Sequence, residues 1–197
     1  MYPFFFVLER AGLRLGEAIE LRLNDVNIKR REIRVARSLC RVTRKAKVPK
    51  SGHGRTVEMS TDLARVLEDV IARRRREGLA EGDTNPLLFP SETGPPYWHR
   101  NVERRFHRVL KTAGLASHHT PHDLRHTYAT LLLERGVDVQ WLQAQMGHAS
   151  IQTTVDEYGK WMKPRKGLAD RLDAPAPRAT DLGDDDTTEQ QNISNRT

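Results

Sequence analysis

The sequence is poor in cysteine and in long apolar runs, and each absence excludes a class of protein. Cys40 is the one cysteine among 197 residues, so a disulfide-stapled extracellular scaffold is excluded. The apolar run at residues 4–8 is too short to cross a bilayer. It also lacks the basic flank and small-residue cleavage site of a signal peptide. We therefore expect a cytoplasmic protein with no membrane partner, in which Cys40 is a packing residue and not a nucleophile.

Acidic residues are scarce in one part of the chain and concentrated in another. Residues 29–55 hold eleven lysines and arginines against one acid, Glu32. Residues 173–197 hold six acids and two arginines, so this tail carries −4 while the whole chain carries +7 and residues 1–172 carry +11. A basic body predicts a polyanionic partner, most often nucleic acid. The tail has almost no large apolar residues, which predicts a disordered acidic segment after a domain spanning 1–172.

Apolar periodicity predicts a mostly helical chain with one small sheet. Helices are expected over residues 3–11, 14–23, 60–77, 101–113, 121–134, 139–146 and 150–158, the fourth with Val102, Phe106, Val109 and Leu110 facing inward. Strands are expected over 25–28, 32–42 and 55–59, joined by a Gly- and Pro-containing turn, with a loop over 86–96. The fold class expected is α+β, mostly α-helical with a small three-stranded antiparallel β-sheet.

A histidine and an arginine three residues apart mark the start of the helix that follows Pro121. His122 and Arg125 lie on one face of that helix and can meet one small anionic group. On its own, this HxxR pattern is also compatible with an ordinary surface helix. Its meaning depends on two further stretches: GLRLGE at residues 12–17, and a Gly-His pair at 147–148 followed ten residues later by Tyr158.

Taken together, these stretches resemble the catalytic domain of the tyrosine recombinases, or phage-type integrases, over about residues 3–162. The matches occur in the order of the family's motifs. They are the first arginine box with Arg14 and Glu17, the hairpin lysine Lys50, the HxxR box with His122 and Arg125, the second histidine box with His148, and the nucleophile Tyr158. The resemblance implies site-specific DNA cleavage and rejoining through a 3′-phosphotyrosine, in recombination or integration of mobile or phage DNA.

Elementary chemistry explains why this reaction uses these residue types. A tyrosine ester preserves the energy of the broken phosphodiester, so rejoining needs no ATP. Arg14 and Arg125 would clamp the phosphate through planar, permanently charged forks, which removes the need for a metal or other cofactor. The roles expected for the others are general acid for Lys50, proton acceptor or phosphate ligand for His122, phosphate donor for His148, and orientation of Arg14 for Glu17. Lys45 and Lys47 remain alternatives to Lys50, because hairpin registers slip.

The basic strand and hairpin predict contacts to the backbone of double-stranded DNA, which position a protein without specifying sequence. The residues expected to make them are Arg37, Arg41, Arg44, Lys45, Lys47 and Arg55. The family resemblance further implies a possible homo-oligomer, a tetramer on two duplexes. It also implies a core-binding domain ahead of the catalytic domain; this sequence opens within the catalytic domain's early helices, and we expect a truncated or isolated catalytic domain.

Three alternatives remain at this point. The chain could be a DNA-binding remnant that does not cut, or a relaxing enzyme of the type IB topoisomerase kind that needs no specific site. His122 and His126 have the i,i+4 spacing of a zinc pair, but neither a cysteine nor an HExxH pattern completes a site, so no metal is expected. Instead, His126 is expected to be buried and hydrogen-bonded within its helix, and Tyr128 to pack there.

Overall fold

The computed structural model describes residues 1–48, 54–77, 84–116 and 118–162. The helices within these residues are α1 Tyr2–Ala11, α2 Leu15–Ile19, α3 Thr61–Arg76, α4 His99–Thr112, α5 Pro121–Glu134, α6 Val139–Met146 and α7 Ile151–Tyr158, with 3₁₀ turns at Leu23–Asp25 and Gly159–Trp161. The strands are β1 Val26–Asn27, β2 Glu32–Val35, β3 Ser38–Leu39, β4 Ala46–Lys47 and β5 Arg55–Glu58. This architecture confirms the α+β class. No helix in the described ranges has the length and apolar character needed to cross a membrane.

The predicted three-stranded antiparallel sheet is present, in the order β1–β2–β5. Its register places Ile33 opposite Val57, and both side chains are fully buried. The single strand predicted over 32–42 is wrong, because the chain leaves the sheet after Val35 and β3 pairs with β4 in a separate two-stranded sheet. Arg37 lies in the break and bonds the buried carboxylate of Asp25, so its side chain cannot continue the alternation of an exposed basic face.

The helix predicted over 14–23 is also wrong in extent. It contains five residues, with Arg14 as its N-cap, and ends before Leu21. The Leu21 carbonyl accepts a hydrogen bond at 2.7 Å from the Leu88 backbone N–H, and Arg22 bridges Leu87. The chain is therefore extended here because it pairs with the 86–96 segment, a long-range contact that a periodic pattern does not show.

Two apolar clusters support the site. The larger joins α1, the three-stranded sheet and α3, and the smaller joins α5, α6 and α7 around Tyr128, Leu142, Met146 and Tyr158. Burial of Tyr128 confirms that it packs inside its helix. Val109 is 49% exposed, so its predicted inward position is wrong. Helix α4 buries a narrow stripe at i, i+4 and i+8, and Val109 falls outside that stripe.

Gly12 sets the approach of α1 to α5. It ends α1 in the left-handed region at φ 60°, and a Cβ there would lie 2.4 Å from Cδ1 of the buried Tyr128 ring. Its carbonyl accepts a hydrogen bond from Arg125. A glycine is therefore required both for its backbone conformation and for the close approach that places the first arginine box beside α5.

We predict that Gly12→Ala destabilises the protein much more than Gly114→Ala. Gly114 has φ 67° but nothing within 4 Å of an added Cβ. Its substitution therefore incurs only the left-handed backbone penalty of about 1–2 kcal/mol. Gly12→Ala adds an overpacking penalty of about 1–3 kcal/mol against Tyr128. Urea unfolding of both variants measures the difference, and equal losses would contradict the close approach.

Candidate active site

Five predicted side chains converge on one face of the molecule. Each is placed by the end of a helix or the loop beside it, where the backbone changes direction. These residues are Arg14 at the N-cap of α2, His122 and Arg125 in the first turns of α5, His148 between α6 and α7, and Tyr158 at the last residue of α7. Residue 50 lies outside the described residues, so Lys50 and its predicted role as general acid remain a prediction.

Arg125 is the fixed cation of the site. It is 2% exposed and donates hydrogen bonds to the carbonyls of Gly12 and Met146, the second at 2.7 Å. Its Nη2 also lies 3.1 Å from Nε2 of His148. Burial, and after it the charge of Arg14, lowers the pKa of Arg125 to about 10, so the guanidinium stays charged at neutral pH. Two backbone carbonyls thus hold a permanent positive charge in one orientation.

Glu17 organises the other side of the site. It is 2% exposed, and its carboxylate oxygens accept bonds from Arg55 at 2.9 and 2.8 Å and from Arg14 Nη1 at 3.0 Å. Burial opposes ionisation, but the hydrogen bonds and charges of the two arginines outweigh it and hold the pKa of Glu17 below its usual value. Glu17 therefore orients Arg14, as the sequence predicted, and also holds Arg55.

Arg55 does not have the exposed position that its predicted DNA contact requires. Its side chain is 10% exposed, and its Nε donates to the Gln145 carbonyl at 2.7 Å while its fork grips Glu17. A Cβ on Gly147 would lie 2.8 Å from Cδ of Arg55, so the arginine also packs against the α6 C-terminus. We correct the role of Arg55 from DNA contact to structural cation, because every face of its guanidinium end is already engaged. Arg37 also bonds the buried Asp25, but its side chain is 27% exposed, so its predicted DNA contact stays a prediction.

His148 is held between a cation and a hydroxyl. Arginine can only donate, so Nε2 of His148 accepts from Arg125, and Nδ1 carries the proton that faces Thr154 Oγ1 at 2.9 Å. Burial and the charges of Arg125, Arg14 and Arg55 lower the pKa of His148 to about 4. The imidazole is therefore neutral at pH 7. Thr154 is 1% exposed, and its role as a partner of this histidine was not predicted from the sequence.

Tyr158 is buried at 1% exposure, with its ring parallel to that of His148 at a centroid distance of 6.3 Å. Burial, and then the charge of Glu157, raises the pKa of the Tyr158 phenol. The hydroxyl lies 2.9 Å from Nδ1 of His126. The phenol is thus protonated at neutral pH and needs a base, and His126 is the imidazole in contact with it.

The position of His126 departs from the expectation in one respect. Its side chain is 34% exposed, so the predicted burial is wrong, although the predicted hydrogen bonding is present. Its ring packs edge-on against His122 at 4.6 Å, which places His122 one ring further from the tyrosine. The i,i+4 spacing from His122 was the signal that His126 shares its face. His122, His126 and Glu157 are also a group among the described residues whose ligand atoms lie within 4.8 Å of one another.

The hairpin formed by β3 and β4 carries several exposed positive charges. We call Arg41, Arg44, Lys45 and Lys47 the hairpin cations, and all four are exposed. The Arg44 guanidinium stacks on the Trp98 ring at 3.5 Å, which ties the hairpin to the start of α4. Nη2 of Arg41 lies 3.5 Å from Oε1 of Glu103 in a solvent-exposed ion pair.

Two arginines, a neutral histidine and a buried tyrosine lie close together here, and these groups are suited to phosphoryl transfer through a protein nucleophile. The α+β frame that positions them is the fold of a tyrosine recombinase catalytic domain. A sequence model of the phage integrase family matches residues 2–163. The chain belongs to this family, which confirms the resemblance seen in its motifs.

Comparison with individual proteins agrees. The chain is 35% identical to tyrosine recombinase XerC of Vibrio vulnificus over 144 residues, covering 73% of this chain and 41% of the relative. It is 32% identical to tyrosine recombinase XerD of Pseudomonas putida over 151 residues, covering 75% and 45%. The chain therefore spans less than half the length of these relatives.

Solved structures show the same fold. The integrase of transposon Tn1549 in complex with transposon right end DNA superposes with a TM-score of 0.71 at 28% identity, covering 88% of this chain and 58% of that chain. XerA recombinase superposes with a TM-score of 0.65 at 27% identity, covering 87% and 56%.

We predict that His148 contributes a pH dependence to stability. Its pKa is depressed in the folded protein, so the unfolded chain binds the extra proton between about pH 6.5 and 4, and stability falls as the pH falls through that window. Urea midpoints at pH 7 and pH 5 should therefore drop less in His148→Gln than in the wild type. His107→Gln, a change at an exposed histidine of α4, should keep the wild-type drop. An unchanged drop in His148→Gln would contradict the assignment.

Proposed function

We propose that this chain cleaves and rejoins DNA strands through a covalent 3′-phosphotyrosine at Tyr158, as the catalytic domain of a site-specific tyrosine recombinase. The observation that carries the proposal is the placement of the buried phenol against His148, which is itself bonded to Arg125. A nucleophile, a fixed cation and an imidazole thus share one small space. Likeness to recombinases and to an integrase solved with DNA supports the proposal.

The proposed reaction is two reciprocal transesterifications. The scissile phosphate lies between Arg14 and Arg125, whose charges stabilise the extra negative charge of the transition state. The Tyr158 oxygen bonds to phosphorus as the bond to the 5′ oxygen breaks. The phenolic proton passes to the adjacent imidazole of His126, and the leaving oxygen takes a proton from a general acid, a role assigned by resemblance to Lys50. Attack by the 5′ hydroxyl reverses these steps and frees the tyrosine.

The proposed roles of Arg14 and His148 follow from their exposure and from the groups that they already bond. Arg14 is 31% exposed at its side chain, and one of its nitrogens donates to the Gly147 carbonyl at 3.2 Å. It can therefore turn its fork to a phosphate without exposing a buried charge. Burial is the larger cause of the low pKa of His148, and a phosphate would offset the smaller cause, the charges of the three arginines. The imidazole could then turn from acceptor to donor, as the resemblance implies.

Double-stranded DNA is the proposed partner, gripped through its backbone by the hairpin cations, and it fits the cytoplasmic location expected from the sequence. Assembly as a tetramer on two duplexes and a role in integration or mobile DNA remain part of the proposal, because the chain spans under half of the full-length relatives.

Covalent trapping tests the chemistry. The wild type, incubated with supercoiled plasmid and quenched in SDS, should leave protein linked to nicked DNA. Tyr158→Phe keeps the ring but has no oxygen to form the ester, so its adduct should fall to background. Tyr97→Phe removes a phenol that packs near Phe4 against the larger apolar cluster, which does not contain Tyr158, and should behave as the wild type.

The same assay separates the alternatives. DNA binding with no adduct would favour the non-cleaving remnant and contradict the proposal. An adduct with equal relaxation of unrelated plasmids would favour a topoisomerase-like enzyme. An adduct confined to one DNA position would support site-specific recombination.

The hairpin prediction is tested by salt dependence. Replacing Arg44, Lys45 and Lys47 by alanine should lower the slope of log affinity against log salt by about 0.9 per lost phosphate contact, or about 2.7 for three contacts. The matched control removes equal charge from the exposed end of α3, by alanine at Arg73, Arg75 and Arg76. A slope that falls as much in the control would contradict the hairpin assignment.

A further inference from the structure

A cluster of three metal-binding side chains lies beside the nucleophile. His122 and His126 are one turn apart on α5, and Glu157 comes from the last turn of α7. One ligand atom from each lies within 4.8 Å of the others, and Nδ1 of His126 is 3.4 Å from Oε1 of Glu157. The third ligand comes from another helix 31 residues away, which is why spacing along α5 alone predicted no complete site.

The donor set fits zinc better than other common ions. Zinc takes imidazole nitrogen and carboxylate oxygen at about 2.0–2.2 Å, so the edge of a tetrahedral site is about 3.4 Å. The His126–Glu157 pair already has this separation. Their side chains are 34% and 37% exposed and His122 is exposed, so the remaining ligand can close in by side-chain rotation. Magnesium and calcium prefer oxygen ligands and are not matched by two imidazoles.

We propose that His122, His126 and Glu157 bind one Zn²⁺ ion, and that the bound ion prevents Tyr158 from acting as a nucleophile. The nitrogen of His126 that faces Glu157 is the same Nδ1 that bonds the Tyr158 hydroxyl at 2.9 Å. A ring nitrogen bound to a metal can neither accept nor donate a hydrogen bond, so the phenol loses its bond to His126. The ion also ties the tyrosine-bearing α7 to α5. Inhibition of DNA cleavage rests on the proposed function, whereas zinc binding does not.

Calorimetric titration of the untagged full chain with ZnCl₂ tests the site. One ion per chain should bind, and Glu157→Gln should weaken the affinity at least about 10-fold, since loss of even an outer-shell partner costs about 10–100-fold. The matched control is His118→Ala/His119→Ala, which removes two neighbouring histidines outside the cluster. Its affinity should equal that of the wild type. Absence of binding, equal affinity in Glu157→Gln, or loss of binding in the control would overturn the site.

Inhibition is measured separately, as the rate of adduct formation with and without ZnCl₂. Zinc should slow the wild type at concentrations that follow its calorimetric affinity, and Glu157→Gln should need correspondingly more, each compared with its own zinc-free rate. Zinc bound at the cluster with an unchanged rate would overturn the inhibitory role. A protein that binds zinc but never forms an adduct would contradict the proposed function and leave the metal site supported.

Discussion

The buried carboxylate of Glu17 is the constraint on which this site depends. A charge at 2% exposure is tolerated only if it is paired, and here two arginines pair it from different directions. Arg14 comes from the cap of α2, and Arg55 comes from the sheet and reaches on to the end of α6. One carboxylate therefore fixes the distance between the first arginine box, the sheet and the loop that carries His148. Without Glu17, Arg14 and Arg55 would repel each other at the point where these elements meet.

Arg125 repeats this logic without a carboxylate. Its bonds go to the carbonyls of Gly12 and Met146, which carry partial charges too weak to cancel a guanidinium. The site therefore holds net positive charge that its own protein does not neutralise. Burial is the main cause of the depressed pKa of His148, and this field adds to it, since a second proton there would face three arginines. Such a site is suited to an anion, and Arg125 is already held in place by its two carbonyl partners before one arrives.

Local patterns predicted the elements well and long-range pairings poorly. The helices beginning at residues 121, 139 and 151 followed from apolar periodicity and caps, and the motif residues Arg14, Arg125, His148 and Tyr158 do converge. By contrast, Arg55 looked like an exposed strand cation, because a sequence shows charge but not the buried carboxylate that binds it. The short α2 likewise follows from a contact with a distant segment, whereas the long strand splits because β3 pairs with the nearby β4. Glu157 was missed because its partner His126 lies on another helix, and Thr154 was missed although it lies only six residues after His148.

In the proposed reaction Tyr158 is the nucleophile, and its surroundings keep the phenol protonated before attack. Burial in the α5–α6–α7 cluster and the nearby Glu157 both favour the neutral phenol, while Arg125 opposes them. Before DNA arrives, the balance lies with protonation. A phosphate beside Arg125 would add negative charge and favour the phenol still more, so proton removal must be coupled to the attack itself. That requirement gives His126 its importance, since it is the imidazole already in contact with the hydroxyl. Any ligand that binds Nδ1 of His126 would therefore slow the proposed reaction without occupying the proposed phosphate site.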